Sequence, residues 1–304
     1  MYVSRERFLR LRGVPALAVF AALAASGCER IVDVELPSAE PRLVVEGKVE
    51  LNRSVPGNSG AWVRLTVTGD YFDNSPATPV TDAEVRITDQ EETLAELSLV
   101  DPAEGVYVHL DGPPLAMAPG YTYQLEIRWD GDTYLSDVEM AMGTPIDSLY
   151  FEWEEEFIGR PAGLRVKVDY TDPPEPGHSI LYELFLNGEP VISPVPGNEF
   201  RLVRSDRYRP GEEVTGFAPD PLLDPDVGDR VTVRQVGLTT TLHDYIIAVF
   251  EQNALGLGNP YSIPSATIQG NVVNSTSANP RPLGYFGAHE VFEATVVVPD
   301  TLIP

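Results

Sequence analysis

The chain is 304 residues long and carries 46 Asp and Glu against 21 Lys and Arg, a formal charge of −25. A surface this acidic repels phosphate backbones and anionic headgroups, so composition excludes a nucleic-acid binder and predicts no nucleic-acid partner. Its single cysteine, Cys28, excludes an intrachain disulfide, and 28 Pro with 25 Gly interrupt the chain too often for a helix bundle.

In chain order, the first signal is an address. Arg5, Arg7, Arg10 and Arg12 precede an apolar run from Val14 to Ala25, which ends in Ser26, Gly27 and Cys28. A basic start, a short apolar core and small residues before a cut describe a secretory signal peptide. The run is shorter than the ~20 apolar residues that cross a bilayer as a helix. Small residues abutting a cysteine spell a lipobox, here Ala25-Ser26-Gly27-Cys28. Its chemistry acylates the Cys28 sulfur, cuts the chain before that residue and acylates the freed amine. Residues 1–27 are thus expected to be a lipoprotein signal peptide, Cys28 the lipidation site, and residues 28–37 an acidic tether. The competing reading is a plain secreted protein with an inert cysteine.

Strand patterns then follow closely. Leu43–Val49, Trp62–Thr68, Ala83–Thr88, Leu94–Leu99, Gly105–Val108 and Tyr121–Ile127 are β-branched or alternating, and Asp130-Gly131 turns the chain into Thr133–Ser136. Short strands at this spacing, separated by Gly, Pro and Asp, predict an antiparallel sandwich over residues 38–141. A boundary is expected near Met142–Pro145. Beyond it Ile146–Trp153, Leu164–Tyr170, Ile180–Leu186, Arg230–Val236 and Ala294–Val298 read as strands, with the stretch from Pro194 to Asp229 as loop. One segment changes period: Leu242, Tyr245, Ile246, Val249 and Phe250 make one helical face, predicting a helix near 241–255 that starts at a Thr241–Asp244 capping box and lies across a sheet. The expected fold class is all-β, with a second β-rich domain over 144–304 that holds this helix.

Catalytic patterns are sparse. His109, His178, His243 and His289 include no HExxH pair, and neither a nucleophile elbow nor a phosphate-binding glycine loop occurs. No catalytic residue and no cofactor is assigned. Two acidic groups remain: Glu152, Glu154, Glu155 and Glu156 around Trp153, and Asp220, Asp224, Asp226 and Asp229 in a Pro-rich loop. Calcium takes several oxygens from one loop, which makes Asp224, Asp226 and Asp229 candidate ligands, although their spacing is not that of an EF-hand. Solvated turn acids in a strongly acidic protein explain both groups without a ligand. Tyr71, Phe72, Tyr208, Phe217 and Tyr261 in expected loops form either a stacking surface for sugar or peptide, or packing beneath the loops.

Several stretches in order resemble a known family. They are the Cys28 lipobox, Leu43–Gly47, Asp82–Asp89, Gly105–Tyr107, Pro119–Leu125, Thr144–Ser148, Gly228–Val233, Gly270–Asn274 and Leu283–Gly287. Together they resemble the DUF4249 family of envelope lipoproteins over nearly the whole chain after Cys28. Ala83–Ile87, with Tyr107 and the Pro119-Gly120-Tyr121 run, separately resembles carboxypeptidase-regulatory or transthyretin-like sandwiches, implying an immunoglobulin/transthyretin-like first domain. The family resemblance implies an outer-membrane lipoprotein held by lipid on Cys28 and working beside a TonB-dependent receptor in nutrient uptake or envelope assembly. It brings no catalytic residues. A free-standing glycan- or protein-binding surface lipoprotein is the alternative, and a metal-dependent hydrolase the remote one.

Overall fold

The computed structural model describes residues 40–69, 75–157, 161–191, 201–220, 223–255, 268–277 and 280–300. Residues 1–37, with the expected signal peptide, Cys28 and tether, lie outside the described residues, as do Tyr71, Phe72 and Tyr261. The class is all-β with one α-helix among the described residues.

The first half contains β1 (Leu43–Asn52), β2 (Gly60–Val67), β3 (Thr78–Pro79), β4 (Glu84–Asp89), β5 (Leu94–Asp101), β6 (Val106–Val108), β7 (Thr122–Trp129) and β8 (Asp132–Glu139). β2 pairs with β1 and β6, whereas β4 pairs with β5 and β7, and β7 with β8. β5 belongs to both layers: Leu94–Leu97 pair with β4, and from Ser98 to Asp101 the strand pairs with β6 through a register shift. Alternation then does the folding, because every second residue of a strand faces the same way. Val45, Val49, Val63 and Leu65 of one layer meet Val85, Ile87, Leu125 and Ile127 of the other in one core. The β7–β8 hairpin turns at Asp130 and Gly131, with φ of 50° and 82°, the positive pair that a two-residue turn matching strand twist requires.

The second half contains β9 (Ser148–Glu154), β10 (Gly163–Thr171), β11 (Ser179–Leu186), β12 (Glu189–Pro190), β13 (Val203–Ser205), β14 (Glu213–Phe217), β15 (Arg230–Leu238), α1 (Thr240–Leu255), β16 (Val273–Asn274) and β17 (Leu283–Val297). A three-stranded sheet in the order β14-β10-β9 packs Val166, Val168 and Phe151 against Ile180, Leu184, Val231 and Val233 of β11 and β15. β13 and β14 lie inside the stretch that the sequence assigns to loop. They are short, and β14 joins β10 through a register shift, so neither carries a clear period of two.

β17 joins the two halves. Residues 283–291 run parallel to β1, from Val44 opposite Leu283 to Asn52 opposite Val291. The same strand then runs antiparallel to β15, from Val236 opposite Val291 to Arg230 opposite Val297. The sequence predicts a strand only over its last residues, Ala294–Val298, and assigns it no partner. A parallel partner needs a long crossover, and nearly the whole chain separates β1 from β17, so local pattern carries no trace of the pairing. The seam is tight at Gly284: φ is 91°, and a Cβ there would stand 1.9 Å from the Val45 carbonyl oxygen. Val272, Phe286 and Ala288 also pack into the first core, and residues 40–304 form one compact unit with two main apolar cores.

α1 occupies the predicted span, with a different start. The Thr239 hydroxyl accepts the Leu242 N–H at 3.3 Å, so the cap is Thr239 rather than Thr241. Leu242 then stands where a capping box requires Glu or Gln, and no reciprocal side-chain arm is available. Leu242, Tyr245, Ile246 and Phe250 pack on Val203, Val236, Leu238 and Val291. Val236 and Leu238 point away from Val231 and Val233, so the helix covers the sheet face opposite the second core.

Candidate functional site

The candidate calcium ligands serve the local backbone. Asp224 Oδ1 accepts the Leu164 N–H at 3.0 Å and lies 3.3 Å from Arg165 Nη1. Asp229 Oδ2 accepts the Asp226 N–H at 2.9 Å, and its Oδ1 accepts the Asn187 side-chain amide at 2.8 Å. Asp226 closes the same turn by accepting the Asp229 N–H at 3.0 Å through its carbonyl. Asp224 thus holds β10, while Asp226 and Asp229 share a turn before β15. Among the described residues no three His, Cys, Asp or Glu side chains converge in a metal-binding geometry. In the other acidic group, Glu152 and Glu154 pair with Lys167. Of the loop aromatics, Tyr208 is exposed, whereas Phe217 packs on Tyr182 with ring centroids 5.1 Å apart and lies under the Arg204 guanidinium.

His243 meets Asp244 at 3.0 Å at the start of α1. His289 is buried beneath the same helix, where its Nδ1–H donates to the Gly237 carbonyl at 2.7 Å. Burial, chiefly, pushes its pKa down to about 4, so the imidazole is neutral at ordinary pH. Beside it, Arg234 of β15 ties four strands together through Glu50 of β1, Glu183 of β11 and Glu293 of β17. Lys48 adds a second cation 2.6 Å from Glu50. Glu290 fastens the segment between the halves: it accepts the Gly143 N–H at 2.9 Å and Arg53 Nε at 2.6 Å. These groups hold strands in register; they are scaffold.

The feature with the geometry of a binding site is a groove on the helix side of the molecule. A cavity of about 330 Å³ lies between Pro119–Gly120, Met140–Met142, Gly177–His178 and Leu238–Thr239. It shares Glu139 and Thr239 with a second cavity of about 850 Å³ between α1, Tyr285 and residues 268–271. That cavity shares Ile268, Gln269 and Gly270 with a third, of about 640 Å³, which reaches Arg42 at the start of β1 and Arg281. The three cavities adjoin one another through these shared lining residues.

The middle cavity has a distinct chemistry. The rings of Tyr245 and Tyr285 stand 5.1 Å apart at 41°, and the Tyr285 hydroxyl is 3.0 Å from the Thr241 hydroxyl. Asp137, Glu139 and Asp244 supply three carboxylates, and among the described residues no Lys or Arg lines this section. Burial, with the charge of Glu46, pushes the Tyr245 hydroxyl pKa up, so this wall stays neutral. Asn271 fixes the far wall by bridging to the Phe286 main chain at 2.7 and 2.9 Å. Polar groups on rigid elements around an open, partly aromatic cavity suit reversible binding. Sequence reading assigned Tyr245 to the helix core and gave Tyr285 no role. The groove is assembled from β8, α1, β17 and the 268–271 segment, and only their pairing brings these residues together.

A family model described as a domain of unknown function (DUF4249) matches residues 29–295. No curated protein and no solved structure matches the chain.

Proposed function

Because this chain belongs to the family described as a domain of unknown function (DUF4249), we propose that it is an outer-membrane lipoprotein, a non-enzymatic binding or gating accessory of a TonB-dependent receptor in nutrient uptake or envelope assembly. The observation that carries this reading is the Arg-rich start and apolar run that end in Ala25-Ser26-Gly27-Cys28. A single acyl chain holds a protein to a bilayer only marginally, whereas the two or three that lipobox processing adds hold it stably. Among the described residues no helix is long and apolar enough to cross a membrane, so in this reading the lipid supplies the attachment. An all-β body with a surface groove supports a binding role.

The test is fractionation with co-purification. Wild-type protein should sediment with the outer membrane and take up labelled palmitate, and Cys28→Ala should do neither. A Cys28→Ala protein still in the outer-membrane fraction refutes the anchor. Affinity capture of the wild type from solubilised membranes should recover a β-barrel receptor; a capture without one refutes the partnership. The groove favours a second reading, a free-standing surface lipoprotein that binds glycan or protein, which predicts ligand capture without a receptor.

A further inference from the structure

We propose that the cavity between Arg42 and Arg281 binds a small organic oxyanion, a phosphate or carboxylate carried on an apolar body. The site is distinct in charge from the acidic middle cavity, and it depends on neither the anchor nor the receptor proposed above. Its volume of about 640 Å³ falls within the roughly 300–1,000 Å³ of small-molecule pockets.

Charge carries the inference. The chain has 46 Asp and Glu against 21 Lys and Arg. Among the described residues, however, two guanidinium groups and one carboxylate, Glu40, line this cavity. The strand cations Arg64, Arg86, Arg128 and Arg234 are all ion-paired. Among the described residues Arg42 and Arg281 pair with no carboxylate; Arg281 Nη1 donates instead to the Gln269 side-chain oxygen at 3.2 Å. At physiological ionic strength charges beyond about 8 Å are largely screened, so the net −25 does not set the local sign. Two guanidinium forks match the oxygens of a phosphate or carboxylate. Ile268, Pro282 and Leu283 offer an apolar wall to the rest of the ligand.

Both sides of the cavity are fixed before a ligand arrives. The Arg42 N–H donates to the Thr68 hydroxyl at 3.0 Å, and its carbonyl accepts the Thr68 N–H at 3.0 Å. Gly270 lies so close to β17 that a Cβ would stand 1.5 Å from the Gly284 carbonyl oxygen. Asn274 braces the turn after it by accepting the Thr276 and Ser277 N–H groups at 2.9 Å. A formed pocket loses little conformational freedom on binding.

Such an anion comes from solution or from a lipid headgroup. Arg42 follows Cys28 by 14 residues, a reach of at most about 50 Å, so the headgroups of a membrane that held Cys28 lie within range.

Isothermal titration calorimetry on the full chain in non-ionic detergent tests the site with butyl phosphate, inorganic phosphate and butanol. Butyl phosphate should bind with a Kd below about 1 mM, about tenfold more tightly than inorganic phosphate, and butanol should not bind. Arg42→Gln and Arg281→Gln should each weaken butyl phosphate about tenfold. The melting temperature should not change, because the Arg42 main chain, not its guanidinium, holds Thr68, and Arg281 is exposed. Tighter binding of dihexanoyl phosphatidylglycerol than of butyl phosphate assigns the site to a headgroup, and weaker binding assigns it to a soluble anion. No binding of butyl phosphate at about 10 mM, equal binding of butanol, or full affinity in either variant overturns the proposal.

Discussion

The two cores are built from the same strand pattern and differ in what else they bury. In the first, two buried tyrosines direct their hydroxyls to main-chain carbonyls: Tyr107 donates to Val80 at 3.1 Å and Tyr123 to Ala116 at 2.9 Å. Around them that core is aliphatic, with Phe286, Tyr134 and Met140. In the second, Tyr170 and Tyr182 stand with ring centroids 6.4 Å apart in the interior beside the fully buried Gln235. Burial pushes both hydroxyl pKa values up, Tyr182 far more than Tyr170. The outer face of β10 buries Arg165, which donates to the Pro161 carbonyl at 2.7 Å and the Leu164 carbonyl at 3.0 Å. Apolar burial stabilises wherever shape allows, but buried polar groups cost stability unless each finds its partner. Substitutions in the first core are therefore expected to act chiefly through volume, and those in the second through volume and polar partners together.

Three measurements break or sharpen this contrast. The largest effect is expected from Leu125→Ala, a fully buried position in the first core, at about 3–4 kcal/mol of unfolding free energy in urea titration. β17 is shared, so the whole transition should move; a biphasic curve with one phase shifted would mean that the cores unfold separately.

Next comes the pH dependence set by His289. Its folded pKa of about 4 lies below the ordinary 6.5, so the unfolded chain takes up the proton first. Its contribution is complete above pH 6.5, falls as pH drops from 6.5 to 4, and is flat below, about 3 kcal/mol in all. His289→Gln should flatten stability across that window. An unchanged slope would place the proton uptake elsewhere.

The smallest effects separate the two arginine networks. Arg64 pairs with Glu46 at 3.3 Å and Glu104 at 2.6 Å in the open, and Arg64→Ala should cost less than about 1 kcal/mol. Arg234→Ala leaves the buried Glu50 beside Lys48 alone, and about 2 kcal/mol is expected, less than for a fully buried pair because Arg234 keeps some exposure. Equal losses in thermal melts would show that the two networks are alike.

Most strands were legible because period-two alternation is a local property. Ala83–Thr88 and Leu164–Tyr170 name β4 and β10 almost to the residue, and the spacing from Leu242 to Phe250 names α1. The helix start was misread by two residues because Thr239 and Thr241 are equal candidates until the backbone chooses between them. β13 and β14 carried no period. Of the candidate residues, the Asp224–Asp229 loop was correctly picked out as dense in acid, but what its carboxylates face depends on Leu164, Arg165 and Asn187, up to 60 residues away. The groove could not be read at all, since Glu139, Asp244 and Tyr285 share no local motif.

By itself, then, the sequence determined the acidic surface, the all-β class and the place of the helix, each written in neighbouring residues. Tertiary structure alone decided that β17 would join β1 in parallel and β15 in antiparallel, that His289 would be buried neutral, and that a tyrosine-walled, acidic groove would open beside the helix. Pairing between distant strands is set by how the whole chain buries its apolar faces, and no window along the chain records that.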